Sequence, residues 1–268
     1  MEPSPLVVVV GLLAAFVMGV SKTGVPSVGA FGAALLATVV PAVASTGVLL
    51  PVLLLGDAVA IAMYARHADA RLLVRLLPSV TVGLLAGYLL VRVADADVVT
   101  RVIGAVLLLS AIGALVRRRR SAVRPAADDA VAATSPTRSD PEPVDRLPAR
   151  ARGPVSLLLG AGAGLSTMVA NAGGPMMTLY LLRMRVGTLA FLGTSAWFFL
   201  AVNLLKVPFS VGLGLITPDS LRLSAAIAPG ILVGALAGRR LVRGMSREVF
   251  ELAALVATAA AAVWLLVG

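Results

Sequence analysis

Apolar runs follow one another along almost the whole chain, separated by short breaks that contain polar residues, glycine or proline. The ten runs cover residues 5–20, 26–41, 46–65, 71–92, 98–116, 154–169, 174–183, 187–206, 219–240 and 247–267. About 20 apolar residues carry an α-helix across a hydrocarbon core of about 30 Å, and several runs have that length. Because unpaired backbone polar groups are costly in lipid, such runs predict helices rather than open sheets. The pattern predicts an all-α, polytopic membrane protein.

The composition narrows the environment and the chemistry. Hydrophobic residues make up 59% of the 268 residues and charged residues 13%, against roughly 45–50% and 25% in soluble domains. We therefore expect the lipid bilayer as the main surrounding medium. Cysteine is absent and His67 is the sole histidine, so no cofactor, metal site or thiol chemistry is expected. The net charge of +10 does not predict nucleic-acid binding, because the basic residues cluster at the ends of apolar runs.

One segment, residues 117–152, interrupts the apolar pattern. It begins with four consecutive arginines and continues with Pro, Ala, Asp, Thr and Ser without an apolar period. This composition predicts a disordered basic linker. The linker divides the chain into a first transmembrane repeat, residues 1–116, and a second one, residues 153–268.

The two halves resemble each other in sequence. Pro78–Gly87 aligns with Pro229–Gly238, and the proline, both glycines and one alanine match. Pro26 corresponds to Pro175 near the front of each half, and Gly47 and Asp57 match Gly193 and Asn203 in spacing. Each half holds five segments, or three crossings if its first two segments form a re-entrant hairpin. Both numbers are odd, so the sequence predicts two inverted repeats of about five helical segments, each starting with short or broken helices.

Basic residues alternate between loops as the positive-inside rule requires. With the N-terminus outside, the inside loops hold Arg66, Arg71, Arg75, the arginines of the linker, Arg183, Arg185, Arg239, Arg240, Arg243 and Arg247. The loops on the other side carry few charges. We therefore expect a multi-pass protein of the cell (inner) membrane, with both termini outside and the linker 117–152 in the cytoplasm.

Two breaks stand at corresponding positions near the start of each half. The first, Gly19–Pro26, contains Lys22, and the second, residues 160–175, contains Asn171 and ends at Pro175. Paired broken segments in the two halves of a transporter indicate its binding site. The alternative is that both breaks are turns at the membrane surface.

Lys22 has two interpretations. It could snorkel to a lipid headgroup as a surface anchor, or it could face a negative charge inside the protein. Pro26 is expected in the first turn of the following helix, whose free N–H groups and positive dipole end would point back at the break. Together these features predict a cradle for an anion.

Three polar residues interrupt later apolar runs. Asp57 could pair with Lys22, carry a coupling proton, or lie near the cytoplasmic end of its helix. Asn203 is the better site candidate in the second half, since a lone amide in hydrocarbon needs a partner. Lys206 could belong to the site or, with equal ease, anchor its helix at the membrane interface. No Ser/His/Asp set, paired carboxylates or Walker loop is present, so no catalytic residue is expected and the chain is predicted not to be an enzyme.

The chain resembles the sulfite exporter TauE/SafE family of membrane permeases. The resemblance rests on the tandem halves, the Gly-x-x-Lys-Thr-Gly-x-Pro stretch at 19–26, the Asn-x-Gly-Gly-Pro stretch at 171–175, the spacing of Asn203 and Lys206, and the two Pro-x4-Gly-x3-Gly elements. It implies transport of small sulfur-containing anions, such as sulfite or sulfonates, across the inner membrane without ATP. The residues that it assigns to substrate binding are Lys22, Thr23, Gly24, Pro26, Asn171, Gly173, Gly174 and Pro175. Lys22 has no basic counterpart within the second break.

The resulting hypothesis is a secondary transporter or exporter of a small oxyanion. Lys22 would supply charge, and backbone N–H groups, Thr23, Asn171 and Asn203 would supply hydrogen bonds. The alternatives are a permease for a cation or neutral solute with Asp57 central, and a membrane scaffold that transports nothing. The coupling ion, the direction of transport and the oligomeric state, including a homo-oligomer, stay open.

Overall fold

Helices account for most of the residues that the computed structural model describes, which are 4–24, 28–122, 153–184, 186–244 and 263. Within these ranges there is no strand, and the α-helices are α1 Pro5–Thr23, α2 Gly29–Ala37, α3 Ala42–Tyr64, α4 Ala70–Val93, α5 Ala96–Ala122, α6 Pro154–Ala170, α7 Gly174–Met184, α8 Thr188–Gly212 and α9 Pro218–Gly244. A short 3₁₀ turn, Ala65–His67, joins α3 to α4. The all-α prediction is confirmed, and each helix matches one predicted apolar run. The last run, 247–267, lies outside the described residues apart from Val263.

Six helical segments of the described chain are long and apolar enough to cross a membrane. They are Pro5–Thr23, Ala42–His67, Ala70–Val93, Ala96–Gly113, Leu189–Gly212 and Pro218–Gly238. By contrast, α2 has 9 residues and α7 has 11, which corresponds to about 14 and 17 Å of helix. Neither can cross a hydrocarbon core of about 30 Å. The second helix of each half is therefore short, as the sequence predicts.

The first helix is longer than the sequence predicts, because α1 continues past residue 20 through Ser21, Lys22 and Thr23. These polar residues find partners on other helices. Thr23 donates from Oγ1 to the carbonyl oxygen of Ala235 at 2.8 Å, and the ammonium of Lys22 pairs with Asp57. Polar side chains that have hydrogen-bond or ion-pair partners can remain in a helix inside the bilayer. The first break therefore begins only after Thr23.

The distribution of side chains is the reverse of that in a water-soluble protein. Large aliphatic side chains such as Val74, Leu158 and Leu236 are between 66% and 72% exposed, whereas Asp57 and Lys206 are at most 1% exposed. Lipid is the solvent in which exposed aliphatic side chains cost nothing and unpaired charges cost most. The structure thus agrees with the predicted bilayer environment.

Three apolar cores among the described residues hold the helices together, and two of them each define a group of four helices drawn from both halves of the chain. One is formed by α1, α2, α3 and α9, with Leu36, Leu49 and Ile231 among its buried members. The other is formed by α4, α6, α7 and α8, with Leu84 and Phe198 at its centre. We call these four-helix groups body 1 and body 2. The fourth helix of each half therefore belongs to the body built on the other half.

Glycines let α4 and α9, the fourth helices of the two halves, pack closely against α6 and α1 of the other half. A Cβ atom at Gly19 of α1 would collide with the backbone of Ile231 and Ala235 on α9. At Gly164 of α6 it would collide with the backbone of α4 in the same way, at Val80 and Leu84. These two pairs of contacted residues are equivalent in the aligned repeats. The two contacts, α1 with α9 and α6 with α4, are thus built alike, which is what the predicted duplication requires.

The linker prediction lies mostly outside the described residues. Helix α5 continues through the four arginines to Ala122, and residues 123–152 are not described. The inverted orientation of the two repeats and the location of the termini stay predictions.

Candidate functional site

Lys22 is an internal cation. It lies in the last turn of α1, and its Nζ is 2.5 Å from Oδ1 of Asp57 on α3, with side-chain exposures of 8% and 0%. The same ammonium lies 4.5 Å from the ring centroid of Phe199 on α8, in cation–π geometry. Of the two interpretations of Lys22, the surface anchor is therefore wrong. Asp57 is likewise the internal partner of a cation.

Asn203 of α8 contacts the same carboxylate from body 2. Its Nδ2 donates to Oδ2 of Asp57 at 2.6 Å, and both side chains are fully buried. Asp57 and Asn203 are equivalent positions in the aligned repeats, so this bond joins the same point of each half. The two oxygens of Asp57 are thus occupied by one group from each body.

Lys206 lies three residues further along α8 and reaches the second break. Its Nζ donates to the carbonyl oxygen of Thr167 at 2.6 Å and to Oδ1 of Asn171 at 2.5 Å. It is 1% exposed, so the interface-anchor interpretation is wrong for this lysine too. The second break has no basic residue in its own sequence, but the fold supplies one from a neighbouring helix.

Asn171 ends α6 in a conformation that few residue types adopt. Its φ is 51°, in the left-handed region that asparagine tolerates better than most residues. The N–H groups of Asn171 and Ala172 donate to the carbonyls of Thr167 and Ser166, which closes the helix end. The side-chain Nδ2 of Asn171 then reaches α3 and donates to the carbonyl oxygen of Thr46 at 3.3 Å.

A small cavity lies between the two breaks, where body 1 meets body 2. Its volume is about 30 Å³, and polar side chains from both bodies line it together with apolar neighbours. The lining residues are Met18, Ser21, Lys22, Gly29, Ala30, Leu53, Thr167, Asn171, Gly174, Ser195, Ala196, Phe199 and Asn203. The cavity is the place where the two broken regions come together inside the protein.

Both short helices begin at this cavity. Gly29 and Ala30 open α2, and Gly174 opens α7, and all three line the cavity. The first N–H groups of a helix lack intrahelical acceptors, and the helix dipole places partial positive charge there. Two such helix ends therefore add positive potential to that of the lysines.

Two buried polar atoms at the cavity have no partner among the described residues. They are Oγ of Ser195 and Oδ1 of Asn203, on residues that are 3% and 1% exposed. An unpaired buried polar group costs about 1–3 kcal/mol, so each such case in a native protein needs an explanation. A ligand that bonds to them would provide one.

The structure brings together four of the residues that sequence reasoning assigned to the site. Lys22, Asn171, Gly174 and Asn203 line the cavity, and Asp57 contacts two of them directly.

The remaining predicted site residues lie beside the cavity without lining it. Thr23 bonds α1 to α9, and Gly173 packs against Thr167 of α6. Gly24 caps the end of α1, and Pro175 is the second residue of α7. Pro26 lies outside the described residues.

Sequence reasoning did not assign Ser195, Phe199 or Thr167 to the site. A signal existed in α8, because Ser195, Phe199 and Asn203 are spaced four residues apart and so share one helix face. That stripe is interleaved with apolar residues in the sequence. The stripe can be recognised by counting back in steps of four residues from Asn203.

The described residues contain no group of three or more His, Asp or Glu side chains that could hold a metal ion. What they contain is a small cavity at the meeting point of two short helices, with buried lysines beside it, in a bundle with six possible membrane spans. These features define a polytopic helical membrane protein with a charge-lined internal site.

The chain belongs to the sulfite exporter TauE/SafE family, whose model matches residues 7–265. The resemblance found in the sequence motifs is confirmed. Members of this family are membrane transporters rather than enzymes, so the protein is a membrane transport protein. The search of curated proteins found no match. The search of solved structures found none either.

Proposed function

We propose that the protein is a secondary transporter of a small sulfur-containing anion, such as sulfite or an organosulfonate, and that the cavity between the two breaks holds this anion. The observation that carries the proposal is the excess of buried positive charge at the cavity. Around it, the described residues include two buried basic side chains, Lys22 and Lys206, and one buried acidic side chain, Asp57.

The charges are not compensated evenly. Asp57 neutralises Lys22, whereas the described partners of Lys206 are both neutral oxygens. An uncompensated charge in the membrane interior is expensive, and such groups mark ion pathways. A bound anion would supply the missing negative charge.

The groups around the cavity suit an oxyanion. Lys22 offers N–H donors, Asn171 offers an amide, and the first turns of α2 and α7 offer backbone N–H groups. Charge-assisted hydrogen bonds of this kind are stronger than neutral ones. The donors lie on both bodies, so an anion among them would bind the two bodies together.

The cavity is far smaller than the roughly 300–1,000 Å³ of sites for drug-sized ligands. This size favours a small ion. Alternating access would require body 1 to rotate against body 2, since the cavity lies at their junction. Close glycine contacts hold α1 to α9 and α6 to α4 within the bodies, and a further one, Gly193 of α8 against the backbone of Tyr64 and Ala68, lies where the bodies meet. Movement of one body against the other would have to open this last contact.

The alternative of a cation permease with Asp57 central has less support. Both carboxylate oxygens are already occupied, one by Lys22 and one by Asn203. A metal cation or a protonated amine would have to displace a lysine at contact distance. Its approach would also be opposed by Lys206.

Flux of radiolabelled sulfite into proteoliposomes tests the proposal. The wild-type protein should carry sulfite, and the Lys22→Ala variant should carry it at least tenfold more slowly. Arg222→Ala is the matched control, because Arg222 pairs with Asp219 at the surface and is 74% exposed. Its flux should equal that of the wild type. Equal flux in the Lys22→Ala and wild-type proteins would remove Lys22 from the mechanism.

A further inference from the structure

The two asparagines at the cavity are held in opposite orientations by charged neighbours. Asn171 accepts from the ammonium of Lys206, so the atom facing Lys206 must be its oxygen. Asn203 donates to the carboxylate of Asp57, so the atom facing Asp57 must be its nitrogen. An ammonium has only donors and an ionised carboxylate has only acceptors, which removes the usual ambiguity of amide orientation.

The opposite orientations leave different atoms for a ligand. Asn171 has its oxygen engaged, and only one of its two Nδ2 hydrogens has a partner in the part of the chain that the structure describes, at Thr46. Asn203 has its nitrogen engaged and its Oδ1 unpartnered and buried. One amide therefore offers a donor and the other offers an acceptor.

An unpartnered amide oxygen is unexpected in a site for an ordinary anion. The oxygens of a fully deprotonated oxyanion are acceptors only, and they would repel Oδ1 of Asn203 rather than satisfy it. The hydroxyl of Ser195, which also lines the cavity, likewise lacks a described partner, and it can donate or accept. Among anionic ligands, those that carry an O–H or N–H group can satisfy the acceptor at Asn203.

From these observations we infer that the site selects a monovalent oxyanion that carries its own hydrogen-bond donor, such as hydrogen sulfite or a sulfonate with an adjacent O–H or N–H group. The acceptor oxygens of the ligand would meet Lys22, Asn171 and the helix N-termini, and its donor would meet Asn203. The inference rests on the proposed anion transport and specifies the class of substrate. Asn203 is then a specificity-determining residue and Asp57 a positioning residue that fixes its orientation.

The balance of charge agrees with a single negative charge on the ligand. In their ionised forms, the two buried lysines and the one aspartate leave one positive charge uncompensated among the described residues around the cavity. A monoanion neutralises the site, whereas a dianion such as sulfate would leave a net negative charge in the membrane interior. Charge and hydrogen bonding thus exclude the same ligand, a divalent oxyanion without a donor.

Two ligands of similar size and equal charge provide the test. Sulfamate and methanesulfonate are both monoanions at neutral pH, but sulfamate has an NH₂ group where methanesulfonate has a methyl group. Isothermal titration calorimetry on the purified full-length chain in detergent would measure the affinity for each, with sulfite and sulfate as further ligands. An unpaired buried acceptor predicts that sulfamate binds about 5- to 100-fold more tightly than methanesulfonate. Sulfate should bind more weakly than sulfamate.

Variants of the two asparagines show whether the selectivity comes from the proposed atom. Asn203→Leu removes the acceptor, so the ratio of the sulfamate and methanesulfonate affinities should fall to near one. Asn171→Gly keeps a residue that tolerates positive φ and removes the donor amide, so it is the matched control. It should weaken both ligands and leave their ratio unchanged.

Asp57→Asn provides an independent variant if Asn203→Leu does not fold. A neutral partner no longer fixes the amide of Asn203, so the preference for sulfamate should shrink several-fold. The site also gains net positive charge, so the affinity for sulfate relative to sulfamate should rise. A purely structural role of Asp57 would lower all affinities and leave both ratios unchanged.

Equal affinity of the wild-type protein for sulfamate and methanesulfonate would overturn the inference and leave anion transport standing. An unchanged ratio in both Asn203→Leu and Asp57→Asn would also overturn it. If none of the four ligands bound, the inference and the proposed function would fail together.

Discussion

Asp57 and Asn203 occupy equivalent positions in the two halves of the chain, and their side chains are hydrogen-bonded to each other at 2.6 Å. In the predicted arrangement of two inverted repeats, a contact between equivalent residues would lie at the axis that relates the two halves. A carboxylate paired with an amide makes this contact favourable, whereas two carboxylates would repel each other. The difference in residue type makes the contact asymmetric: Asp57 is a counter-ion for Lys22, whereas the described partners of Lys206 are neutral oxygens.

The ion pair of Lys22 and Asp57 should behave as a buried pair. We expect Lys22→Met or Asp57→Leu alone to lower the free energy of unfolding by about 3–5 kcal/mol, because each leaves a buried charge without a partner. The double variant should recover most of the loss, since replacing both members of a buried pair by apolar groups is often neutral. Thermal unfolding in detergent, followed by intrinsic fluorescence, measures these differences.

The exposed pair of Arg222 and Asp219 is the control for this double-mutant cycle. Their side chains are 74% and 62% exposed, and Arg222→Ala should change stability by less than about 1 kcal/mol. If the two single variants at Lys22 and Asp57 were as mild as this control, the pair would contribute nothing to the fold.

Lys206 should hold the second break in place. In Lys206→Met, the carbonyl of Thr167 and Oδ1 of Asn171 lose their donor, which should cost about 1–3 kcal/mol of stability. The lost positive charge should also weaken binding of sulfite at least tenfold. Leu204→Met places the same new side chain on an exposed position of α8. It should leave both thermal stability and sulfite affinity unchanged, and equal effects of the two substitutions would contradict a role for Lys206.

The glycines at the contacts of α4 with α6 and of α1 with α9 should not tolerate an added methyl group. A Cβ at Gly83 would meet the backbone of Ala161, and one at Gly234 would meet the backbone of Phe16. We expect Gly83→Ala and Gly234→Ala each to cost about 1–3 kcal/mol, because the backbones must move apart. The loss would appear as a lower thermal-unfolding midpoint.

Gly113 on α5 is the control, because no atom lies within 4 Å of the position that its Cβ would take. Gly113→Ala should be neutral or stabilise by up to about 1 kcal/mol through helix propensity.

Thr23 should contribute to helix packing more than to selectivity. Its hydroxyl bonds the carbonyl of Ala235 and does not line the cavity. Thr23→Val keeps the shape of the side chain and should cost about 1 kcal/mol of stability, the usual contribution of one hydrogen bond. Sulfite flux should fall less than in Lys22→Ala, and a larger loss of flux would place Thr23 in the binding site itself.

The helices could be predicted from the sequence because their signal is local. The apolar runs that predicted Ala42–Tyr64 and Pro154–Ala170 lie within a few residues of the observed helices. The end of α1 could not be placed in this way. Ser21, Lys22 and Thr23 look like a break in the sequence, yet they are helical, and α3 and α9 supply partners for Lys22 and Thr23.

Part of the site could also be predicted, because part of its signal is local in the sequence. Breaks with glycine, proline and polar residues pointed to Lys22 and Asn171, and the alignment of the halves pointed to Asn203. The role of Lys206 could not be chosen from sequence, because a lysine near the end of an apolar run has the same local pattern as an interface anchor. Its partners, Thr167 and Asn171, lie more than 30 residues away along the chain.

The sequence by itself determined that this chain is a helical membrane transport protein of one family, where its helices lie and where two of them are short. Those properties follow from the length and composition of single segments and from motifs that segments carry. Only the tertiary structure decided that Lys22 pairs with Asp57 and that Lys206 donates to Thr167 and Asn171 at the second break. It also decided that, of the two asparagines at the cavity, one offers a donor and the other an acceptor. These relations depend on how helices from different halves pack, and burial of charge then forces each polar group to find the partner that the packing brings near.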